Sequence, residues 1–188
     1  MESSIRLVGV VTKGCEYDYE GYGLNFYKME IAVERRSGVV DRIPLMLTWK
    51  EEIGEGERVE VYGTVRTADV QNQGKKKLRV YVYVDDIGLS NESDFNEVQL
   101  VGRICKKSEL RVTPFKKKIC DIILAVDKKN GSSVYIPCIF WAGNARYISE
   151  LDIQTEIALV GRLQSRNYIK EGKTYTAIEV SATEFCVT

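Results

Sequence analysis

The stretch that decides the fold is Val134-Tyr135-Ile136-Pro137-Cys138-Ile139-Phe140-Trp141, which follows the turn sequence Lys129-Asn130-Gly131-Ser132. β-Branched and aromatic residues dominate these eight positions, and this composition predicts a strand. Strand side chains alternate between two faces, so one face is apolar and suits a core: Val134, Ile136, Cys138 and Phe140. The other face carries Tyr135, Pro137, Ile139 and Trp141. A ring at each end of a face that normally carries polar residues indicates a binding surface.

The surrounding sequence occurs twice. Residues 122–137 (IILAVDKKNGSSVYIP) repeat residues 29–44 (MEIAVERRSGVVDRIP) at an offset of 93 positions. Residues 98–103 (VQLVGR) repeat residues 5–10 (IRLVGV) at the same offset. One offset shared by two separated blocks indicates an internal repeat.

A third pair, residues 61–65 (VYGTV) and 159–163 (LVGRL), is offset by 98, so the second copy holds about five extra residues. The boundary between the two copies falls in a polar stretch, residues 89–94 (LSNESD), which lacks the hydrophobic periodicity of a strand or helix. We therefore expect two domains in tandem, residues 1–90 and residues 95–188, each of an ordinary small-domain size.

Each copy has the same predicted order of elements. We expect strands near residues 5–13, 26–34, 40–48, 57–67 and 77–87, and again near 97–106, 117–127, 133–141, 155–167 and 174–184. Hairpin turns are predicted at Arg36-Ser37-Gly38, Gln73-Gly74-Lys75, Asn130-Gly131 and Glu171-Gly172. Ala142 to Leu151 has the spacing of a short helix, whereas the matching Trp49 to Glu55 is shorter and is either a helix or a turn.

Three strands, a short helix or loop and two further strands are typical of an OB-fold, a small five-stranded barrel. The predicted class is all-β with a short helix per domain, forming two tandem OB-fold five-stranded barrels. An eight-stranded sandwich or an SH3-like barrel would also contain many short strands.

Composition argues against catalysis. The chain has no histidine, so the commonest general base and metal ligand is missing. Its five cysteines are widely spaced without a Cys-x-x-Cys pair, which argues against a disulfide framework or a zinc site. We expect no enzyme activity, no metal and no cofactor. With no long apolar run and no N-terminal signal pattern, we expect a cytoplasmic protein that does not enter a membrane.

The formal net charge is zero, but it is distributed unevenly. Residues 1–93 carry 13 Lys and Arg against 16 Asp and Glu, a net charge of −3. Residues 94–188 carry 14 against 11, a net charge of +3. If one half of the chain contacts phosphates, charge favours the second half.

The second copy resembles the bacterial single-stranded DNA-binding protein family. The residues that carry the resemblance lie in 96–185, about half of the chain: 96–103 (NEVQLVGR), 109–114 (ELRVTP), Ala125-Val126, 135–137 (YIP), 160–168 (VGRLQSRNY) and 173–180 (KTYTAIEV). The resemblance implies an OB-fold barrel that binds single-stranded DNA, with stacking aromatics at Tyr135, Trp141 and Tyr168.

The residues themselves agree with that implication. Tyr168 shares strand parity with Arg162, Gln164 and Arg166, which gives one basic and aromatic face. Every base can stack on an aromatic ring, and cationic side chains contact the phosphates along the strand. Outward aromatics also mark protein interfaces, so packing against a partner is the competing interpretation. Candidate phosphate contacts in the second copy are Arg103, Lys106, Lys107, Arg111, Lys116, Lys117, Lys118, Arg162 and Arg166.

The first copy departs from this pattern. The positions of Tyr135, Trp141 and Tyr168 are held there by Arg42, Thr48 and Val70. Its first loop mixes aromatics with carboxylates that would repel phosphate: Tyr17, Tyr19, Tyr22, Phe26, Tyr27, Glu16, Asp18 and Glu20. We expect this loop to suit protein contact and the first copy to bind more weakly, although Lys75-Lys76-Lys77 and Arg79 could touch a backbone.

The sequence therefore predicts sequence-independent binding of single-stranded DNA in replication, repair or recombination. RNA is also compatible with stacking and phosphate contacts. Because the family usually pools four OB domains, the resemblance implies a homodimer. The chain stops near barrel closure, so the acidic tail with which family members recruit repair enzymes is not expected. The alternative function is an OB-fold interaction scaffold in a replication or conjugation complex.

Overall fold

The computed structural model describes the backbone of residues 3–72 and 75–188, with their side chains except at residues 70–72, 75, 76 and 170. This part of the chain forms strands and one helix, which confirms the all-β class. The elements are β1 (Ser4–Gly21), β2 (Leu24–Glu34), β3 (Val40–Leu47), β4 (Arg58–Asn72), β5 (Lys75–Leu89), β6 (Phe95–Lys107), β7 (Arg111–Val112), β8 (Lys118–Asp127), β9 (Ser133–Trp141), α1 (Ala142–Glu150), β10 (Glu156–Lys170) and β11 (Lys173–Val187).

The first repeat closes into a five-stranded barrel. β1 pairs antiparallel with β2 and β4, β2 pairs with β3, and β4 pairs with β5. A short parallel pairing of β3 with β5, at Leu45↔Val82 and Met46↔Tyr83, closes the ring. The inward face of these strands is fully buried and aliphatic: Leu7, Ile31, Ile43, Leu45, Val61 and Val82. Burial of this face is the main source of stability for the barrel.

The second repeat forms the same barrel. β6 pairs antiparallel with β8 and β10, β8 pairs with β9, β10 lies beside β11, and β9 and β11 close the ring in parallel at Val180↔Cys138. The apolar face predicted for β9 is buried at all four positions: Val134, Ile136, Cys138 and Phe140. The prediction of two tandem OB-fold barrels is thus confirmed.

The short helix predicted for each domain is present only in the second repeat. There α1 follows β9 and buries Ala145 and Ile148, two of the three residues whose spacing predicted it. In the first repeat, residues 48–57 connect β3 to β4 without a helix. The prediction of a helix there was wrong. The segment is shorter and contains Gly54 and Gly56, and glycine is a poor helix former.

The tyrosine-rich segment of the first repeat is a β-hairpin and not a loop. β1 and β2 continue their pairing from Glu16↔Lys28 to Gly21↔Leu24. Aromatic rings pack in pairs along it, because facing residues on paired strands lie side by side. Tyr19 stacks on Phe26 with ring centroids 4.6 Å apart, and Tyr17 meets Tyr27 edge to face at 5.9 Å.

Three of the four predicted turns are present. At Arg36-Ser37-Gly38, the Gly38 N–H donates to the Arg35 carbonyl at 2.8 Å, and at Asn130-Gly131 the Gly131 N–H donates to Lys128 at 3.0 Å. Glu171-Gly172 joins β10 to β11 with both residues at positive φ. The turn predicted at Gln73-Gly74-Lys75 falls on residues 73 and 74, which lie outside the described part of the chain.

Contacts group the chain into two compact units whose bounds differ from the expected domains. One unit holds Ser3 with residues 98–163 and 179–188, and the other holds residues 4–97 with residues 164–178. The outer part of the β10–β11 hairpin, residues 164–178, is thus grouped with the first barrel. The division at residues 1–90 and 95–188 stays a prediction.

Four glycines lie where neighbouring strands approach most closely. A β-carbon on any of them would lie 2.3–2.4 Å from a carbonyl oxygen of the adjacent strand, far inside van der Waals contact. The glycines, each followed by that carbonyl's residue, are Gly9 (Ala32), Gly63 (Tyr83), Gly102 (Ala125) and Gly161 (Ser181). Gly9 corresponds to Gly102 and Gly63 to Gly161 in the repeated sequence blocks, so both copies keep the same close approaches.

A methyl group at Gly102 should therefore strain the second barrel. We expect Gly102→Ala to lower the free energy of unfolding by about 3 kcal/mol, because the carbonyl of Ala125 belongs to backbone that cannot move aside easily. Chemical denaturation followed by circular dichroism measures this change. The matched control is Gly143→Ala, where the added β-carbon meets nothing within 4 Å. We expect the control to change stability by less than about 1 kcal/mol, and equal losses in the two variants would contradict the interpretation.

Candidate nucleic-acid interface

The outer face of β9 begins with an open aromatic ring. Tyr135 is 49% exposed, and its partner in register on β8 is Ala125. Because a methyl group is the only side chain at the adjacent position, the tyrosine ring keeps an accessible face. An accessible ring face on a rigid strand is a suitable platform for stacking a planar group.

At the other end of β9, Trp141 is held in place. Its indole N–H donates to the Ser181 hydroxyl on β11 at 3.0 Å, and the side chain is half-buried. Trp141 is six positions along the chain from Tyr135, which corresponds to about 20 Å along a strand. Between them Pro137 is half-buried, and Ile139 is buried at 5% exposure. The outer face of β9 therefore exposes chiefly its ends.

A further aromatic side chain lies at the tip of the β7–β8 turn. Phe115 is 86% exposed. The turn is well defined, since the Thr113 N–H donates to the Lys117 carbonyl and the Lys116 N–H to the Thr113 carbonyl, both at 2.8 Å. Sequence reasoning missed Phe115, although its position before three lysines (residues 114–118, PFKKK) was an available signal. An exposed ring beside cations is the combination that strand-binding proteins use.

The predicted phosphate-contacting cations fall into two groups. Three of them contact other parts of the protein. Arg103 pairs with Asp127 at 3.0 Å, and Arg111 pairs with Asp121. Lys107 donates to the carbonyls of Ser149 and Leu151 at the end of α1, where helix carbonyls lack intrahelical partners. Among the remaining members, Lys106, Lys116, Lys117 and Arg166 are exposed, and Lys118 and Arg162 are half-buried.

Tyr168 lies on the outer β10–β11 hairpin, in the unit that holds the first barrel. Its ring stacks on that of Tyr175 with centroids 5.6 Å apart, and the Lys77 ammonium lies 4.7 Å from the Tyr175 centroid. Gln164, predicted on the same open face as Tyr168, is buried at 5% exposure. The expected continuous face from Arg162 to Tyr168 is therefore interrupted. The counterpart Val70 lies outside the residues whose side chains are described.

A buried carboxylate fastens this hairpin. Asp41 is fully buried and accepts hydrogen bonds from the Arg35 guanidinium at 2.6 and 2.7 Å. The same carboxylate accepts the Ser165 backbone N–H at 2.8 Å. The Arg42 N–H in turn donates to the Ser165 hydroxyl at 3.0 Å. These bonds fix the start of the outer hairpin against the start of β3, and so they position Tyr168 and Tyr175.

No three His, Cys, Asp or Glu side chains cluster for a metal ion within the described part of the chain. Burial raises the pKa of the Cys138 thiol, and burial also raises that of Cys120. Both thiols are therefore poor nucleophiles near neutral pH. No helix among the described residues is long and apolar enough to cross a membrane.

The profile of the single-strand binding protein family matches residues 95–187. The single-stranded DNA-binding protein 1 of Streptococcus pyogenes serotype M18 is 35% identical over 98 residues, covering 48% of this chain and 75% of that protein. Single-stranded DNA-binding protein 3 of Listeria innocua is 36% identical over 95 residues, covering 46% of this chain and 59% of that protein.

The likeness to solved structures extends over both repeats of this chain. The wild-type single-stranded DNA binding protein from Thermus aquaticus superposes with a TM-score of 0.78 over 99% of this chain and 92% of that one, at 22% identity. At this identity the likeness concerns the fold. It shows that the two-barrel architecture of this chain has a solved counterpart.

Loss of the buried carboxylate should destabilise the unit that contains the outer hairpin. We expect Asp41→Ala to lower the free energy of unfolding by about 3 kcal/mol, because the Arg35 guanidinium and the Ser165 N–H lose their shared acceptor. Denaturation monitored by circular dichroism provides the measurement. The control Glu34→Ala removes an exposed carboxylate nearby and should change stability by no more than about 0.5 kcal/mol. A loss in Asp41→Ala no larger than that of the control would refute the role assigned to Asp41.

Proposed function

Because the chain belongs to the single-strand binding protein family, we propose that it binds single-stranded DNA in replication, repair or recombination, without catalysis. The observation that carries the proposal is the exposed Tyr135 ring on β9, within residues 95–187, where the family profile matches. The exposed Phe115 and the lysines beside it add a second platform in the same unit. The chain presents these groups on a closed barrel and its turns, so they need little ordering before a strand binds.

Stacking supplies the sequence-independent part of the affinity. Each base offers a flat face, and stacking on an aromatic side chain contributes about 1–3 kcal/mol per base. Of the three rings proposed on the second barrel, Tyr135 and Phe115 are exposed, and Trp141 is half-buried. Tyr168 contributes from the outer hairpin, where Tyr175 supports its ring.

Phosphate contacts supply the salt-dependent part. Lys106, Lys116 and Lys117 are exposed and can reach a backbone without breaking an ion pair shown in the described residues. Arg103 and Arg111 must each break an ion pair with an aspartate before they can bind a phosphate, so their net contribution to the binding free energy is smaller. Lys107 stabilises the end of α1 and contributes least. The contacts should therefore be strongest around the β7–β8 turn, with Lys118, Arg162 and Arg166 in supporting roles.

The protein-interaction function is favoured by a separate observation. The outer β1–β2 hairpin exposes Tyr17 at 57% and Tyr22 completely, beside the carboxylates of Glu16, Asp18 and Glu20. Carboxylates repel phosphates, so this hairpin suits contact with a protein. It also provides aromatic residues that serve as a control for DNA binding.

A homodimer is the assembly that we propose, because two copies of the chain would supply four OB-fold barrels. A groove on the outer surface of β6, β10 and β11 supports this assembly. It encloses about 430 Å³ and is lined mainly by apolar groups, among them Val101, Ala158, Val160 and Phe185. Apolar surface of this kind commonly lies in protein contacts.

Removal of two stacking platforms should weaken DNA binding strongly. We expect Tyr135→Ala with Phe115→Ala to raise the Kd for oligo-dT at least about 30-fold, the equivalent of two stacking contributions of about 1 kcal/mol each. Fluorescence anisotropy of a labelled oligonucleotide measures the Kd. The control variant Tyr17→Ala with Tyr22→Ala removes two rings of the first repeat that are at least as exposed, and it should change the Kd less than about threefold. If both variants bound as tightly as the parent, stacking on the second barrel would be excluded.

The groove can be tested independently of DNA. We expect Val160→Glu to convert the dimer to a monomer, since a carboxylate in an apolar contact loses its hydration. Sedimentation equilibrium of the DNA-free protein measures the change in mass. The control Glu184→Gln alters a polar residue at the edge of the same groove and should leave the dimer intact. A monomeric parent protein would disprove the proposed assembly.

A further inference from the structure

A second cleft lies in the unit that contains the first barrel. It encloses about 390 Å³, a volume within the range of small-ligand sites. One wall comes from the first barrel, with Arg42 on β3 and residues 77–80 on β5. The other wall comes from the outer β10–β11 hairpin, with Ser165 and Asn167. The cleft thus depends on both repeats of the sequence.

Its lining carries an excess of positive charge. Arg42, Lys77 and Arg79 are the cations, and Glu30 is the single carboxylate among the lining residues. Burial raises the pKa of Glu30, but hydrogen bonds from Thr12, Lys13 and Arg42 outweigh burial and lower it. Glu30 therefore remains an anion, and its charge is shared between Lys13 and Arg42, both at 3.3 Å.

The Glu30 carboxylate does not neutralise all the cations of the cleft. The side chain of Arg42 is 61% exposed, so it can turn towards a ligand. Arg79 forms a long ion pair with Asp18, with its nitrogen 3.9 Å from the carboxylate oxygen and so beyond hydrogen-bond distance. The Lys77 ammonium lies over the face of Tyr175, where a cation keeps its charge available. At least two cations of the cleft can therefore contact a bound anion.

The polar groups opposite the cations also suit a nucleotide chain. The Thr176 hydroxyl lies 2.8 Å from the Asn167 side-chain oxygen, so these two side chains are held in place and the Asn167 amide N–H₂ can donate. Lys77 joins the cleft to the stacked pair Tyr175 and Tyr168. Cations, amide donors and a nearby ring pair are the parts that recognise a phosphate and its adjoining base.

The repeat explains why this cleft differs from the face of β9. Arg42 occupies the position that Tyr135 holds in the second copy, and Pro44 corresponds to Pro137. At this position the first barrel therefore presents a cation where the second presents a ring. The net negative charge of the first repeat does not describe this surface, because three cations and one carboxylate line it.

We propose that this cleft binds the sugar–phosphate backbone of a single DNA strand, with Arg42, Lys77 and Arg79 as the phosphate contacts. The inference rests on the proposed function and assigns the first repeat a part in it. The first barrel, in this view, holds a strand chiefly by charge and the second chiefly by stacking. Its contribution should depend on salt more steeply than that of the stacking platforms.

The test removes the three charges. The cleft variant combines Arg42→Gln, Lys77→Gln and Arg79→Gln, and the control variant combines Arg36→Gln, Lys50→Gln and Arg146→Gln. All three control cations are exposed and outside the cleft, so both variants lose the same charge. Binding is measured by anisotropy with an oligo-dT of about 32 nucleotides, twice the largest usual site of one OB-fold, across a range of salt concentrations.

We expect the slope of log K against log salt to fall by about 2 in the cleft variant, because each phosphate contact on a single strand contributes about 0.7. The control should keep the parental slope. If the parent binds and both variants show the same slope and affinity, the cleft is not a phosphate site and the proposed function still stands. If the parent itself fails to bind oligo-dT, the proposed function is overturned, and this inference with it.

Discussion

The structure depends on four close approaches between neighbouring strands. At Gly9, Gly63, Gly102 and Gly161 a carbonyl oxygen occupies the space that any larger residue would need for its β-carbon. Small barrels require strongly bent and tilted strands, and glycine permits the contact between backbones that such bending brings about. The glycines recur at corresponding places in the two copies. Both repeats therefore close into barrels even though their outer surfaces have diverged.

Closure of the barrel leaves the outer surface free for other chemistry. The inward residues of β9 pack into the core. This packing fixes the register of β9 and so holds Tyr135 and Trp141 on its outer face. Strands longer than the barrel needs then extend the surface. β10 and β11 continue as the outer hairpin that carries Tyr168, and the bonds from Asp41 to Ser165 hold that hairpin in place. Rigid mounting of this kind limits the entropy lost when a flexible strand binds.

The two copies have specialised in different ways. In the second, exposed rings lie beside lysines, as at Phe115 and Lys116, and this suits stacking with charge support. In the first, Arg42 replaces the ring, and the long β1–β2 hairpin gathers tyrosines and carboxylates. A net charge of zero for the chain is thus the sum of surfaces with opposite preferences. Local charge, not the total, decides which of them meets a phosphate.

Much of this protein was determined by local sequence alone. The repeat at offset 93, the alternation along β9 and the spacing of Ala145 and Ile148 predicted two barrels, a core face and a helix, because pattern and burial are linked by backbone periodicity. Only the tertiary structure decided the rest. It assigned Lys107 to the end of α1, exposed Phe115, buried Gln164 and brought Ser165 to Asp41. These outcomes depend on contacts between residues that are distant in sequence, as Ser165 and Asp41 are, and periodicity along one strand carries no information about such partners.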